Sequence, residues 1–224
     1  MARKKDHERA IILRKNGKSY SQIKKILKVS KSTLSSWLKD FPLSEERIRE
    51  LRDHNEQRIE NYCRTRQRKK EERLNNCFNE VKKGLFPIKG RELYLAGLFL
   101  YWGEGTKTRL AELALSNTNP SVIKFFIFWL NSALKVPKEK MTARLHLYKD
   151  MDINVETQYW SKQLNLPMQQ FKKPYIKNTL LKNINYKGGF GHGTCNLRIG
   201  NARLSERVHM AIKAISEKFD KTGV

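Results

Sequence analysis

The stretch LYLAGLFLYWGEGTK, from Leu93 to Lys107, runs ten apolar residues into one carboxylate, Glu104, set between Gly103 and Gly105. A carboxylate at the C-terminal end of a helix meets the negative pole of the helix dipole. Burying it there unpaired costs still more. A divalent cation removes both objections, because Mg2+ takes one or two carboxylates together with waters and phosphate oxygens. Asp150 and Asp152 supply a second acidic pair in a strand-to-helix turn, and His146 and His192 are candidate general bases. Solvated loop acids and incidental imidazoles are the ordinary reading of those four. Cys63, Cys77 and Cys195 are odd in number and widely spaced, with no zinc or redox spacing.

The other chemistry is cationic. Lys and Arg number 46 against 22 Asp and Glu, so the net charge is +24. A compact chain that basic repels itself unless a polyanion neutralises it. The excess is shared, at +13 over residues 1–90 and +11 over 91–224. Both halves therefore fit a phosphate backbone. The apolar run of 93–102 is half the length of a membrane span, and the N-terminus MARKKDHERA has no apolar signal core. The expectation is a cytoplasmic protein of bacterial or phage type, or a nucleoid-associated one, that binds double-stranded DNA and no membrane.

Three short helical pieces in residues 7–39 must carry the first set of contacts. Ala10, Ile11 and Leu13 lead to a stop at Gly17. Ser21 is expected to cap a helix bearing Ile23, Ile26 and Leu27, and Ser30 to cap KSTLSSWLKD. The last helix turns Leu34, Trp37 and Leu38 inward. It leaves Lys31, Ser32, Thr33, Ser35 and Ser36 for a major groove. Residues 44–83 read as one long charged helix opened by Ser44, with Arg64, Arg66, Arg68, Lys69 and Lys70 as a basic arm along DNA phosphates, or as a solvated linker. Too few heptads persist there to assert a coiled coil. Gly84 and Pro87 mark a boundary.

Beyond it the pattern alternates helix and strand: helix 91–103, strand 109–116, helix 121–134, strand 142–148, helix 154–164, strand 170–177, strand 194–199 and helix 202–219. Two strands share a plan, apolar on one face and polar and basic on the other. Arg144 and His146 lie on the polar face of one, Asn196 and Arg198 on that of the other. Lys172, Lys173 and Lys177 in QFKKPYIKN add phosphate contacts or transition-state cations. GGFGHG, 188–193, fits no phosphate-loop spacing and reads as a strand connection.

The N-terminal segment resembles the trihelical helix-turn-helix domains of resolvases and small repressors over about 35 residues. The opening stretch resembles the motif of the LAGLIDADG homing endonucleases: LAGL stands at Leu95–Leu98 and the terminal acidic step at Gly103-Glu104-Gly105. That resemblance implies two motif helices packed through small residues, an acid at each helix end holding Mg2+ beside the scissile phosphates, and antiparallel sheets in the major groove. Carried over by position, Glu104 would be the catalytic metal ligand. Ala96, Gly97 and Gly103 would form the helix contact. With one motif per chain, a homodimer through helix 91–104 and a near-palindromic site follow. The motif is two residues longer here than the usual nine, and a helix near 154–164 is inserted. A regulator family of Gram-positive bacteria pairs a degenerate LAGLIDADG-like domain with a helix-turn-helix and binds DNA without cutting it. That is the alternative function, and a recombinase using Glu104, Asp150 and Asp152 is a third. The expected fold class is α+β: a helix-turn-helix over 1–43, a charged helical arm over 44–88, and a LAGLIDADG-like domain with an antiparallel sheet over 89–224.

Overall fold

The computed structural model describes residues 3–51, 54–180 and 191–220. The chain divides into two compact units, Met1–Phe86 and Pro87–Val224.

The first unit opens with α1 (Lys4–Lys15), α2 (Tyr20–Leu27) and α3 (Lys31–Trp37). Ala10, Tyr20, Ile23, Val29, Leu34 and Leu38 meet in its core. The cap of α2 is Ser19 rather than Ser21. Its hydroxyl accepts from Gln22 N, and the Gln22 side chain accepts in turn from Ser19 N, a reciprocal capping box. Lys28 ends α2 at φ 52, and Ser30 caps α3 by accepting from Thr33 N, so a tight turn joins the two helices. The single helix expected over 44–83 is two. A five-residue α4 (Glu45–Arg49), capped by Ser44, precedes the 32-residue α5 (His54–Leu85). The break buries Leu51, and Gln57 of α5 donates to the Arg49 and Leu51 carbonyls at 3.1 and 2.6 Å.

A buried ion pair fixes α5 to the three helices. Arg14 and Glu60, 3 % exposed each, meet end-on at 3.1 and 2.7 Å. Glu60 also accepts from Tyr20 N at the start of α2, where the helix dipole favours an anion. Arg14 also donates to the Phe41 and Lys18 carbonyls and lies 4.4 Å over the Tyr20 ring. Glu56 accepts from the Ser19 hydroxyl at 2.8 Å. Removing one partner of such a pair costs about 3–5 kcal/mol, because the other charge stays buried.

The second unit runs α6 (Gly90–Glu104), β1 (Glu112–Asn117), α7 (Pro120–Ser132), β2 (Thr142–Tyr148), α8 (Ile153–Leu164), β3 (Phe171–Lys177), β4 (Thr194–Gly200) and α9 (Ala202–Asp220). The strand order is β1-β4-β2-β3. Both neighbours of β4 are antiparallel to it, but β3 runs parallel to β2, so the sheet is mixed, not antiparallel. Helix α8 is the cause: it crosses back over the sheet and starts β3 from the same end as β2. Leu113, Leu115, Ala143, Leu145, Leu147, Cys195, Leu197 and Ile199 form one sheet face and pack into the same core as Leu98, Phe126, Trp129, Trp160 and Val208 of the helices. At the edge, β3 carries a bulge. Arg144 pairs with Lys172 and His146 with Tyr175, leaving Lys173 and Pro174 opposite Leu145 alone.

The small residues of α6 divide between two faces. Gly97 is buried against α7, and a methyl group there would overlap the Trp129 indole, whose N–H donates to Tyr94 O at 3.1 Å. Gly97 therefore serves the chain's own core and not a contact between two α6 helices. Ala96 is half-buried and Gly103 exposed with nothing near it. Gly97→Ala is expected to lower stability by about 1–3 kcal/mol through overpacking, whereas Gly103→Ala, in the same helix, is expected to be neutral or slightly stabilising. Urea denaturation of the two variants checks the contrast.

Candidate nucleic-acid interface

The helices cover one face of the sheet, and the strand register assembles the other. Ser116, Asn196, Arg144 and Lys172 stand in one row across all four strands. Arg198 and Thr142 neighbour one another in the next row, with Ala114 beside Arg198. Thr194, His146 and Tyr175 make a third row, and Tyr148 and Lys177 a fourth. Glu112 is the only acid in the four strands, against Arg144, Lys172, Lys173, Lys177 and Arg198.

These residues are not equivalent. Arg144 and Lys172 are exposed. Arg198 is held in place: its Nε and Nη2 donate to Asn196 Oδ1 at 3.1 and 2.9 Å, and Glu112 lies 3.5 Å from Nη1. Asn196 is buried and donates to Ser116 Oγ at 2.6 Å, so it positions Arg198 instead of offering its own edge to a ligand. Lys177 lies 4.9 Å over the Tyr148 ring. Lys173 falls in the bulge, out of register with the rows. Tyr175, 59 % exposed and edge-on to His146 at 5.5 Å, was missed from sequence. Its signal was the bulge at Pro174, which shifts the alternation of β3 by one residue.

In the first unit, Lys31, Ser32 and Ser36 are exposed on α3, and Thr33 is half-exposed with its hydroxyl 2.7 Å from Ser30 Oγ. Ser35 points elsewhere, hydrogen-bonding the Cys63 thiol on α5. Burial and the nearby Glu60 carboxylate push that thiol above its ordinary range. Lys24, Lys25 and Lys28 line a groove with Lys31 at the α2–α3 turn, a cluster that the sequence reading passed over. On α5, Arg64 pairs with Glu45 at 3.0 Å and Arg68 with Glu72 at 3.5 Å, while Arg66, Lys69 and Lys70 are exposed.

Glu104 ends α6 with its carboxylate exposed. The backbone after it is tightly held. Gly105 N donates to Tyr101 O at 2.8 Å, Gly105 lies so close to the Tyr101 ring that no side chain fits, and the Tyr101 hydroxyl donates to Thr106 O at 2.6 Å. Burial pushes that phenol up to about 12. The Lys107 ammonium lies 3.5 Å from Gly103 O. Among the described residues no three His, Cys, Asp or Glu side chains gather in a way that could hold a metal ion. Asp152 caps α8, accepting from Asn154 N and Val155 N at 2.8 and 3.0 Å. His192 stacks on Tyr159 at 3.5 Å, and its Nδ1 lies 2.8 Å from Glu156 Oε2, so the imidazole clamps the start of β4 to α8. Residues 188–190 of GGFGHG lie outside the described residues.

No protein-family model, curated protein or solved structure matches this chain.

Burial, and then Lys177, Arg144 and Arg198, push the His146 imidazole below its ordinary 6.5. The folded state thus prefers neutral His146. Its stabilising contribution is full above pH 6.5 and falls as the pH drops from 6.5 through the lowered folded value. His146→Gln is expected to flatten the stability curve across that window, read by urea denaturation at about pH 7.5 and pH 5.

Proposed function

We propose that this chain binds double-stranded DNA in a sequence-specific way through two modules, the α3 face of the first unit and the open sheet face of the second. The observation that carries the reading is the sheet: the described helices of that unit pack on one face, and the other presents Arg144, Lys172, Lys177 and Arg198 around one acid, Glu112. Exposed Arg144 and Lys172 in one row, with Arg198 held in the next by Asn196, suit a groove wall, where phosphate contacts position and side-chain donors read base edges. Lys31, Ser32 and Ser36, with the lysines of the α2–α3 turn, suit a helix-turn-helix docked in a major groove. Arg144→Ala and Lys172→Ala are each expected to weaken duplex binding and to lower the salt-dependence slope by about 1. Lys31→Ala is expected to act likewise in its own module. Fluorescence anisotropy across a salt series measures this, and unchanged slopes for all three would remove both modules.

A homodimer through α6 belongs to the same proposal. Ala96, Phe99 and Gly103 recur on the outward side of α6, and Phe99, 50 % exposed, stacks on Trp102 at 5.9 Å. Small residues beside an exposed aromatic allow a second α6 to approach closely.

Mg2+-dependent cleavage of the LAGLIDADG type is the extension that stands on Glu104 alone, and it needs the Glu104 carboxylates of two copies. The non-cutting regulator is the second reading, favoured by the solvent exposure of Glu104. Incubation of a bound duplex with Mg2+ separates the two. Under the cleavage reading the protein cuts and Glu104→Gln binds without cutting. No cut by the unaltered protein on DNA it binds establishes the regulator.

A further inference from the structure

The face of α5 that packs on α1–α3 does not end where those helices end. In the first half of α5, Ile59, Glu60 and Cys63 are covered by the three-helix core, and Gln67 reaches the Lys39 carbonyl. The same face continues as Leu74, Phe78, Val81 and Leu85, at spacings of four, three and four. These four are 52, 64, 56 and 52 % exposed.

We propose that this stripe is a coiled-coil seam that pairs in parallel and in register with α5 of a second copy. The spacing is that of the a and d positions of a heptad. The flanking positions hold Asn75, Cys77, Lys82 and Gly84, so the apolar stripe keeps the narrow width of a coiled-coil seam. A helix that packs on a sheet or lies in a lipid surface has a broader apolar face. Charge favours the parallel pairing. In register, Lys70 faces Asn75 and Cys77 faces Lys82 of the other copy, so no like charges oppose each other across the seam. Along the stripe itself, four aliphatic and aromatic side chains offer a nucleic acid no phosphate partner, and the nearby cation, Lys82, lies over the Phe78 ring at 6.0 Å.

The seam is about 18 Å long. Eight half-exposed side chains from two copies cover on the order of 800 Å2, less than the ~1,200 Å2 of a stable free-standing interface. The pairing is therefore weak and concentration-dependent alone, and strengthens when one duplex holds both chains. Above Leu74 the seam positions become Glu71, Gln67 and Arg64, which are polar, so the paired helices part there. The exposed Arg66, Lys69 and Lys70 sit at that parting. Two basic segments thus fork from a common stem, as a duplex between them requires.

The test uses the full chain with Cys63→Ser and Cys77→Ser. Val81→Cys places a thiol in the seam, and Glu80→Cys places one beside it, facing outward. Mild oxidation is expected to link Val81→Cys chains at least about tenfold faster than Glu80→Cys chains, because a disulfide needs closely apposed Cα atoms. Phe78→Asp added to Val81→Cys is expected to abolish the linkage while circular dichroism shows helix content retained. Equal rates for the two cysteines overturn the proposal. So does sedimentation as a monomer with no linkage, with or without duplex DNA. Phe78→Asp that releases the protein from anionic phospholipid vesicles, with no change in sedimentation, assigns the stripe to a lipid surface and also overturns it. The readout concerns α5 alone and stands whether or not α6 pairs or DNA is cut.

Discussion

Positive charge is the constraint under which every part of this chain is built. With 46 cations and 22 acids, each carboxylate that meets a cation inside the fold has outsized leverage. Two such carboxylates, and a third that hydrogen-bonds an imidazole, tie distant parts of the chain. Glu60 holds Arg14 and the start of α2. Glu112 holds Arg198 on the neighbouring strand and Arg109 before it. Glu156 holds His192 at the entrance to β4. Among the described residues, exposed cations gather at the α2–α3 turn, on α5 and on one sheet face.

Much of this organisation is legible in the sequence. Alternation in TARLHLY and TCNLRIG gives two strands and their inward residues, because a half-buried sheet imposes a period of two. Ser30 and Ser44 announce helix starts. The capping box of Ser19 and Gln22 was also readable, in SYSQ, and lost only to the nearer Ser21. What the sequence does not carry is the identity of each strand's neighbour. The parallel course of β3 depends on which way α8 crosses, and no local pattern records that. The α4–α5 break is likewise tertiary, since it depends on Leu51 finding a core and Gln57 finding two carbonyls.

The candidate site divides in the same way. Types and spacing picked out Arg144, Lys172 and Arg198, and the register brings them onto one face. Burial then sorts their roles. Asn196 and Ser35 looked like contact residues because polar side chains on a polar face usually are. Inside the fold, one holds Arg198 and the other meets Cys63. Gly97 looked like a contact between copies and proved to be the space that Trp129 fills.

The bulge in β3 has a consequence beyond register. An edge strand offers unpaired N–H and C=O groups to any other extended chain, and a sheet with one bare face is most at risk of stacking edge to edge. Here the exposed edge carries Lys172 and Lys173, followed by a proline that has no N–H to donate. A second strand that docked there would meet two ammonium groups and a gap in its ladder. The protein can therefore keep one broad sheet face bare and still resist polymerising through this edge.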